Sequence, residues 1–250
     1  MTYCCGILVR DGLVMIADTR TNAGLDNVST FRKLHIFKNP GERIMAIASA
    51  GNLAISQSVL STLSEGLQDP ITGETETLMN APTMFQAAQR IGRAIRHINA
   101  TEGVALHAED INFDVSFLFG GQIKGSRMRL YMIYPAGNFI ECTVDTPYLQ
   151  IGEHKYGKPV LDRAVTSETG IELYDALKTG LISMDSTMRS NLGVGLPIDL
   201  LLVRSDVCDA ELSHRIEENE PYFHDLRSRW SAALRAAHQN IPRPPYKSEP

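Results

Sequence analysis

Two kinds of apolar spacing divide this chain, and the order in which they come constrains its layers more than any other feature. Alternating or unbroken apolar runs, the mark of strands, occupy residues 3–9, 13–17, 34–37 and 43–48, then 115–119, 128–132 and 139–144, and last 198–203. Spacings of three and four, the mark of helices, begin at Asn52, resume over 82–99, return over 156–166 and 171–183, and come back after Pro221. Strands and helices therefore arrive in blocks. Strict alternation would call for a doubly wound parallel sheet, whereas blocks call for antiparallel sheets with helices gathered on their outer faces. Two antiparallel sheets packed face to face, each covered by helices, bury all of these faces. The expected fold is an α/β (α+β) four-layer αββα sandwich with a helical C-terminal extension, and no internal repeat interrupts it.

Local signals support that layout. Asp11-Gly12 between two apolar runs is a hairpin signal. Ser49-Ala50-Gly51 closes a buried strand just before a helix, and an acidic Gly/Pro-bearing stretch, 65–76, breaks that helix. In the 82–99 helix, Met84, Ala88, Ile91, Ile95 and Ile98 share one face, with Arg90, Arg93 and Arg96 outside and Pro82 suited to the first turn. Gly120-Gly121 is expected to end the strand before it. In the tail, Phe223, Leu226, Trp230, Leu234 and Ala237 share a helical face, and Ile-Pro-Arg-Pro-Pro stops the helix. That face either covers the parent core or packs on a neighbouring subunit.

Composition removes several function classes. A net charge of −5 supplies no basic face for nucleic acid or an anionic membrane. No apolar run approaches the length that spans a bilayer. Neighbouring strand residues point to opposite faces, so Cys4 and Cys5 cannot readily bridge, and Cys142 and Cys208 have no CxxC partner. With no export signal, the chain reads as a reduced, cytoplasmic protein. The histidines lack HExxH spacing, so no metal is expected; Gly120-Gly121 lacks a nucleotide-binding context, and no organic cofactor is implied.

Chemistry is suggested by the stretch Met1-Thr2-Tyr3. A hydroxyl is a weak nucleophile that needs a base nearby. Removal of Met1 would leave the Thr2 amine covalently tied to its own Oγ, and an α-amine titrates at about 7.7–8.0, so it accepts a proton near neutrality. Other chains also begin Met-Thr without any such role. Asp18 closes an apolar strand, where a carboxylate ordinarily caps a turn. Lys33 lies in Phe-Arg-Lys-Leu-His, where a surface role is the default, and Gly51 ordinarily just makes its turn, although backbone N–H groups there can hold an oxyanion. Each signal alone is weak.

Together, Thr2, the hairpin, Ala17-Asp18-Thr19-Arg20, Ala23-Gly24, Lys33-Leu34 and Ala50-Gly51 resemble the proteasome β-subunit family, whose pattern the bacterial HslV protease subunit shares. Ile-Gly-Glu-His-Lys-Tyr-Gly-Lys-Pro, 151–159, and Met-Asp-Ser-Thr-Met-Arg-Ser-Asn, 184–191, resemble its Anbu, or ancestral β-subunit, branch. The resemblance runs from Thr2 to about Asp206. It implies an N-terminal nucleophile hydrolase domain over 1–206, with 207–250 as a helical extension and Pro-rich tail of the same domain. It further implies Thr2 as nucleophile with its amine as base, Lys33 beside it, Asp18 holding Lys33, the Gly51 N–H as oxyanion donor and Asp185 orienting the amine. Asn22 and Ser49 would line the substrate cleft. The chain departs from the family in having Glu153 where a serine is usual, Met188 where another serine is usual, and Asn22 where Thr or Ser is common. Glu153 is then an added acid/base, or raises the pKa of the amine. The implied activity is hydrolysis of peptide or other amide bonds by a homo-oligomer, a ring or open helical turn, with no unfolding ATPase identified. A silent self-assembling subunit and a non-protease amidase are the alternatives.

Overall fold

The structure, a computed structural model, describes residues 1–22, 28–69, 72–166 and 170–246, with the side chains of Asn22 and Val28 left out. Ala23-Gly24 of the family pattern lies outside the described residues. Strands β1 (Tyr3–Val9) and β2 (Gly12–Asp18) form the opening hairpin. Val9 pairs with Gly12, so the turn is Arg10-Asp11, one residue earlier than expected, and Gly12 already belongs to the ladder. A small hairpin follows, β3 (Arg20–Asn22) and β4 (Val28–Thr30), then β5 (Leu34–Asn39) and β6 (Arg43–Gly51). Next come α1 (Leu53–Glu65), the two-residue strands β7 (Leu67–Gln68) and β8 (Thr75–Glu76), and α2 (Met84–Ala108). Strands β9 (Val115–Ile123), β10 (Arg129–Ile133), β11 (Phe139–Glu141) and β12 (Tyr148–Gly152) precede α3 (Lys158–Ala164) and α4 (Leu173–Ser190). Strands β13 (Ile198–Arg204) and β14 (Leu212–Ile216) lead to α5 (Pro221–Asn240).

The strands make two five-stranded antiparallel sheets, ordered β12-β1-β2-β13-β14 and β11-β10-β9-β6-β5. Three apolar layers separate four structural ones. Cys4, Leu13, Met15, Ala46, Leu118, Leu130 and Leu201 fill the space between the sheets. Val59, Ile91 and Ile95 of α1 and α2 cover the second sheet at Met45, Ile47 and Phe117. Leu161, Leu177 and Met184 of α3 and α4 cover the first at Cys5, Ile7 and Ile16, joined by Phe223 and Leu226 of α5. The αββα sandwich is therefore the observed fold. Cys4 and Cys5 face opposite layers, as strand alternation requires, and all four cysteines are free.

Several boundaries differ from expectation for local reasons. Pro82 stands outside α2: Thr83 is the N-cap, its Oγ1 accepting the Gln86 N–H at 3.1 Å, and the helix then runs on to Ala108. Strand β9 passes through Gly120-Gly121, because β6 and β10 pair with both glycines. Strand β14 had no periodic signature, since it is an edge strand whose Ser213 and His214 face solvent. Helix α5 divides the two readings of its apolar face. Phe223 and Leu226 are buried on the parent core, Trp230 is half-buried, and Leu234 is exposed. Among the described residues no helix is long and apolar enough to cross a membrane.

Candidate active site

Antiparallel wiring brings several strand ends to one rim of the sandwich. Thr2 immediately precedes β1, Asp18 ends β2, Lys33 immediately precedes β5, Gly51 ends β6, and Glu153 immediately follows β12. Neighbouring antiparallel strands start and stop at the same edge. Residues far apart in sequence therefore meet there without any long loop having to place them.

Thr2 and Lys33, both buried, line one cavity of about 590 Å³ together with Ser49, Gly51 and Asn52. The Lys33 ammonium donates to Asp18 Oδ1 at 2.9 Å and to the Arg20 carbonyl at 2.6 Å. The same Asp18 oxygen accepts the Tyr3 N–H at 3.0 Å, so one carboxylate ties the lysine to the backbone immediately after Thr2. Asp18 is fully buried. Burial pushes its carboxyl above the ordinary carboxylate value, while the Lys33 charge and the Tyr3 N–H pull the other way. The buried ion pair holds an ammonium group at the wall of the cleft that Thr2 also lines.

Gly51 supplies a backbone donor. Ser49 N–H donates to Lys33 O at 3.1 Å, while Asn52 N–H turns to the other side and donates to Asp114 O at 2.7 Å. By strand alternation the Gly51 N–H points to the Ser49 side, past the start of β5 and into the cleft. Its φ of 103° and the 2.3 Å that would separate a Cβ from Asp114 O exclude other residues. Asn52 caps α1, accepting from Ala54 N–H at 2.9 Å. Asn22 pairs with Val28 in the β3–β4 hairpin, whose Thr21 and Ser29, directly opposite each other, line the same cleft.

Glu153 stands directly against Thr2. Its N–H donates to the Thr2 carbonyl at 2.7 Å, its Oε2 accepts Asn191 Nδ2 at 2.9 Å, and Lys155 Nζ lies 3.4 Å from its Oε1. Gly152 makes this approach possible: φ is 78°, and a Cβ would lie 2.1 Å from Thr2 O. Met1 packs on Gly193, beside Asn191, and is two-thirds exposed. Asp185 meets different partners from the amine expected of it. Its Oδ2 accepts Arg189 Nε at 3.0 Å and its Oδ1 accepts Arg227 Nε at 2.6 Å. Met188 packs in the helical layer, and the Ser186 hydroxyl donates back to Ile182 O at 2.9 Å.

Three contributors went unnoticed in the sequence. Tyr3 is fully buried, and its hydroxyl meets Ser183 Oγ at 2.6 Å and the Gln150 amide, while Ser183 donates to Gly157 O at 2.9 Å. This network ties β1, β12, α3 and α4 together directly behind Thr2, and burial raises the phenol well above its ordinary value. The available signal was a tyrosine in an otherwise apolar strand, since a buried hydroxyl needs a partner. Thr21 and Ser29 carried no spacing signal, because their hairpin is only three residues deep on each side.

Chemically, the rim presents a hydroxyl, a fixed ammonium, a backbone donor and a carboxylate. Among the described residues no group of three or more His, Cys, Asp or Glu side chains is placed to hold a metal. Several solved structures are similar to this chain over nearly its whole length. A Gly-1 mutant of Anbu from Hyphomicrobium sp. strain MC1 is 46% identical, covering 98% of this chain and 100% of that one, with a TM-score of 0.88. Anbu (ancestral beta-subunit) from Yersinia bercovieri is 45% identical over 98% and 100%, also with a TM-score of 0.88. A structure described as a helical assembly of the Anbu complex from Pseudomonas aeruginosa is 44% identical over 97% and 98%, again at 0.88. No family model and no curated protein matches the chain.

Proposed function

Because the chain belongs to the Anbu family of proteasome β-subunit-like proteins, we propose that it is a threonine hydrolase of peptide or other amide bonds, matured by removal of Met1. The observation that carries this reading is the cleft shared by Thr2, Lys33 and Gly51, with Lys33 locked on Asp18. While Met1 is attached, the Thr2 nitrogen is an amide and cannot act as a base. Once freed, the amine takes the Oγ proton as Oγ bonds to the substrate carbonyl carbon. The oxyanion so formed rests on the Gly51 N–H. Collapse breaks the C–N bond, the leaving amine takes the proton, and Thr2 is left as an ester. Water, deprotonated by the same amine, then adds to the ester; the Oγ–C bond breaks, Oγ takes the proton back from the amine, and the acid is released. Lys33 favours the unprotonated amine and the alkoxide, Asp18 holds Lys33, and Glu153 faces the amine as acid/base partner. Ser49 and Asn22 flank the substrate. No step requires a metal or organic cofactor.

The test is intact-mass measurement followed by labelling with an epoxyketone or β-lactone. The mature chain should lack Met1 and gain one adduct, lost in Thr2→Ala. A retained methionine in the mature protein rejects the mechanism. A silent structural subunit is the second reading, favoured by Glu153 and Met188 standing where the family usually has serines, and it gives no adduct with Met1 removed.

The described relative from Pseudomonas aeruginosa is a helical assembly, which supports a homo-oligomer here, ring or open helix. Residues 1–206 would form the hydrolase core, and the exposed end of α5 within 207–250 would join subunits. Truncation after Arg229 should reduce particle mass in light scattering, and unchanged mass rejects that role. Four free cysteines suit a cytoplasmic location.

A further inference from the structure

We infer that Arg227 is a positioning residue for the Thr2 site, acting through buried Asp185 and the C-terminal end of α4. Asp185 is wholly buried, and an ionised carboxylate there must be paired. Arg189, four residues on in the same helix, half-exposed, fixes nothing between elements. Arg227 comes from α5, and its 2.6 Å contact joins two helices. Its guanidinium lies 5.6 Å from the Phe223 ring, and Phe223 and Leu226 are buried beside it, so α5 delivers the arginine from a seated turn.

Contacts continue from Asp185 to the nucleophile. The helix carrying Asp185 ends where Asn191 N–H donates to Thr187 O at 2.9 Å. The Asn191 side chain then donates to Glu153 at 2.9 Å, and the Glu153 N–H donates to Thr2 O at 2.7 Å. Removing the Arg227 charge strands Asp185 on Arg189 alone, which lets the end of α4 shift, and Asn191 with it. Arg227 lies beyond the part of the chain that carries the sequence resemblance to proteasome β-subunits. The extension thus reaches into the core domain to hold its rim, and this inference rests on the hydrolase reading only for its activity readout.

Hydrogen exchange and Thr2 labelling of the full-length assembly test it with Arg227→Met, Arg227→Lys and the double variant Asp185→Asn/Arg227→Met. Arg227→Met should speed exchange in peptides covering 152–157 and 190–194 while β6 and β9 keep wild-type protection. Labelling should fall about tenfold to a hundredfold, the cost of a small misplacement of reacting groups. Arg227→Lys should restore most of both signals. The double variant should restore protection, because no charge is stranded. Unchanged exchange at 152–157 in Arg227→Met overturns the inference, as does an equal rise across the whole molecule. Should Arg227→Met fail to fold, Arg227→Lys must remain close to wild type and the double variant must protect 152–157, or the inference fails. If wild-type protein takes no label, the hydrolase reading falls and exchange alone decides this one.

Discussion

Lys33→Met isolates the electrostatics on which the cleft depends. The substitution keeps most of the lysine stem and removes its charge, leaving Asp18 buried with the backbone N–H groups of Tyr3 and Gly195 as its donors. At an effective dielectric of about 20, charges 2.9 Å apart attract by about 6 kcal/mol. Part of that gain offsets the desolvation of Lys33 itself, which the methionine no longer suffers. Breaking one side of a buried pair consequently costs about 3–5 kcal/mol, because the surviving charge is left uncompensated.

The pH dependence of that cost separates it from lost packing. Burial already raises the Asp18 carboxyl, and removal of the ammonium raises it further. A folded-state pKa above the unfolded value of about 3.9 means stability is retained at low pH and lost as pH rises through the folded value. The deficit of Lys33→Met against wild type should thus be large at pH 7.5 and smaller at pH 5. Urea unfolding followed by Trp230 fluorescence, at fixed protein concentration because the Pseudomonas aeruginosa relative is a helical assembly, measures both. Asp18→Asn/Lys33→Met should recover much of the loss. A deficit under about 1 kcal/mol, well below the buried-pair range, or one equal at both pH values, refutes the reasoning.

Three further outcomes are expected. Gly152→Ala should abolish Thr2 labelling and cost about 1–3 kcal/mol in urea unfolding, since φ of 78° and a Cβ 2.1 Å from Thr2 O force β12 away from Thr2; wild-type labelling would reject the stated fit. Glu153→Gln removes a carboxylate that favours the charged amine of mature Thr2, so the acid limb of the labelling profile should move down by about one pH unit; an upward move or no move rejects the assignment. Burial pushes the Cys5 thiol up to about 12, so the unfolded thiol ionises first and stability is lost as pH rises from about 9 toward 12, by about 2 kcal/mol at pH 10.5. Urea midpoints at pH 8 and 10.5 should show a smaller decline in Cys5→Ala, and an identical decline contradicts this.

The layers were legible because burial has a period. Strand alternation placed Cys4 and Cys5 on opposite faces, and α2 presents Ala88, Ile91, Ile95 and Ile98 to the second sheet as its spacing required. Features lacking a period were not legible. Strand β14 is a short edge strand with exposed residues on both faces; Thr21 and Ser29 face the cleft only because a three-residue hairpin folds over it. Among candidate site residues, the pattern named Thr2, Asp18, Lys33 and Gly51, which do meet at one rim, but it could not foresee the partners of Asp185. A carboxylate's partner is whichever cation the tertiary fold delivers, and here α5 delivers Arg227 from 42 residues away.

The residues that match the family pattern and those that depart from it differ in how they are held. Thr2, Asp18, Lys33 and Gly51 sit at strand termini, where ladder pairing and the buried ion pair fix the backbone around the cleft that Thr2 lines. Apart from Asn22, in the β3–β4 hairpin, the departures, Glu153 and Met188, and the re-partnered Asp185 lie at the end of β12 and along the last turns of α4, on the side of Thr2 where Met1 rests against Gly193. A change there leaves the nucleophile and its ammonium neighbour in place and alters what the terminal nitrogen meets. Under the hydrolase reading that nitrogen is the base, so the altered shell acts on proton transfer rather than on attack. The pH range of the reaction, more than its geometry, is then where this chain should differ from a proteasome β-subunit.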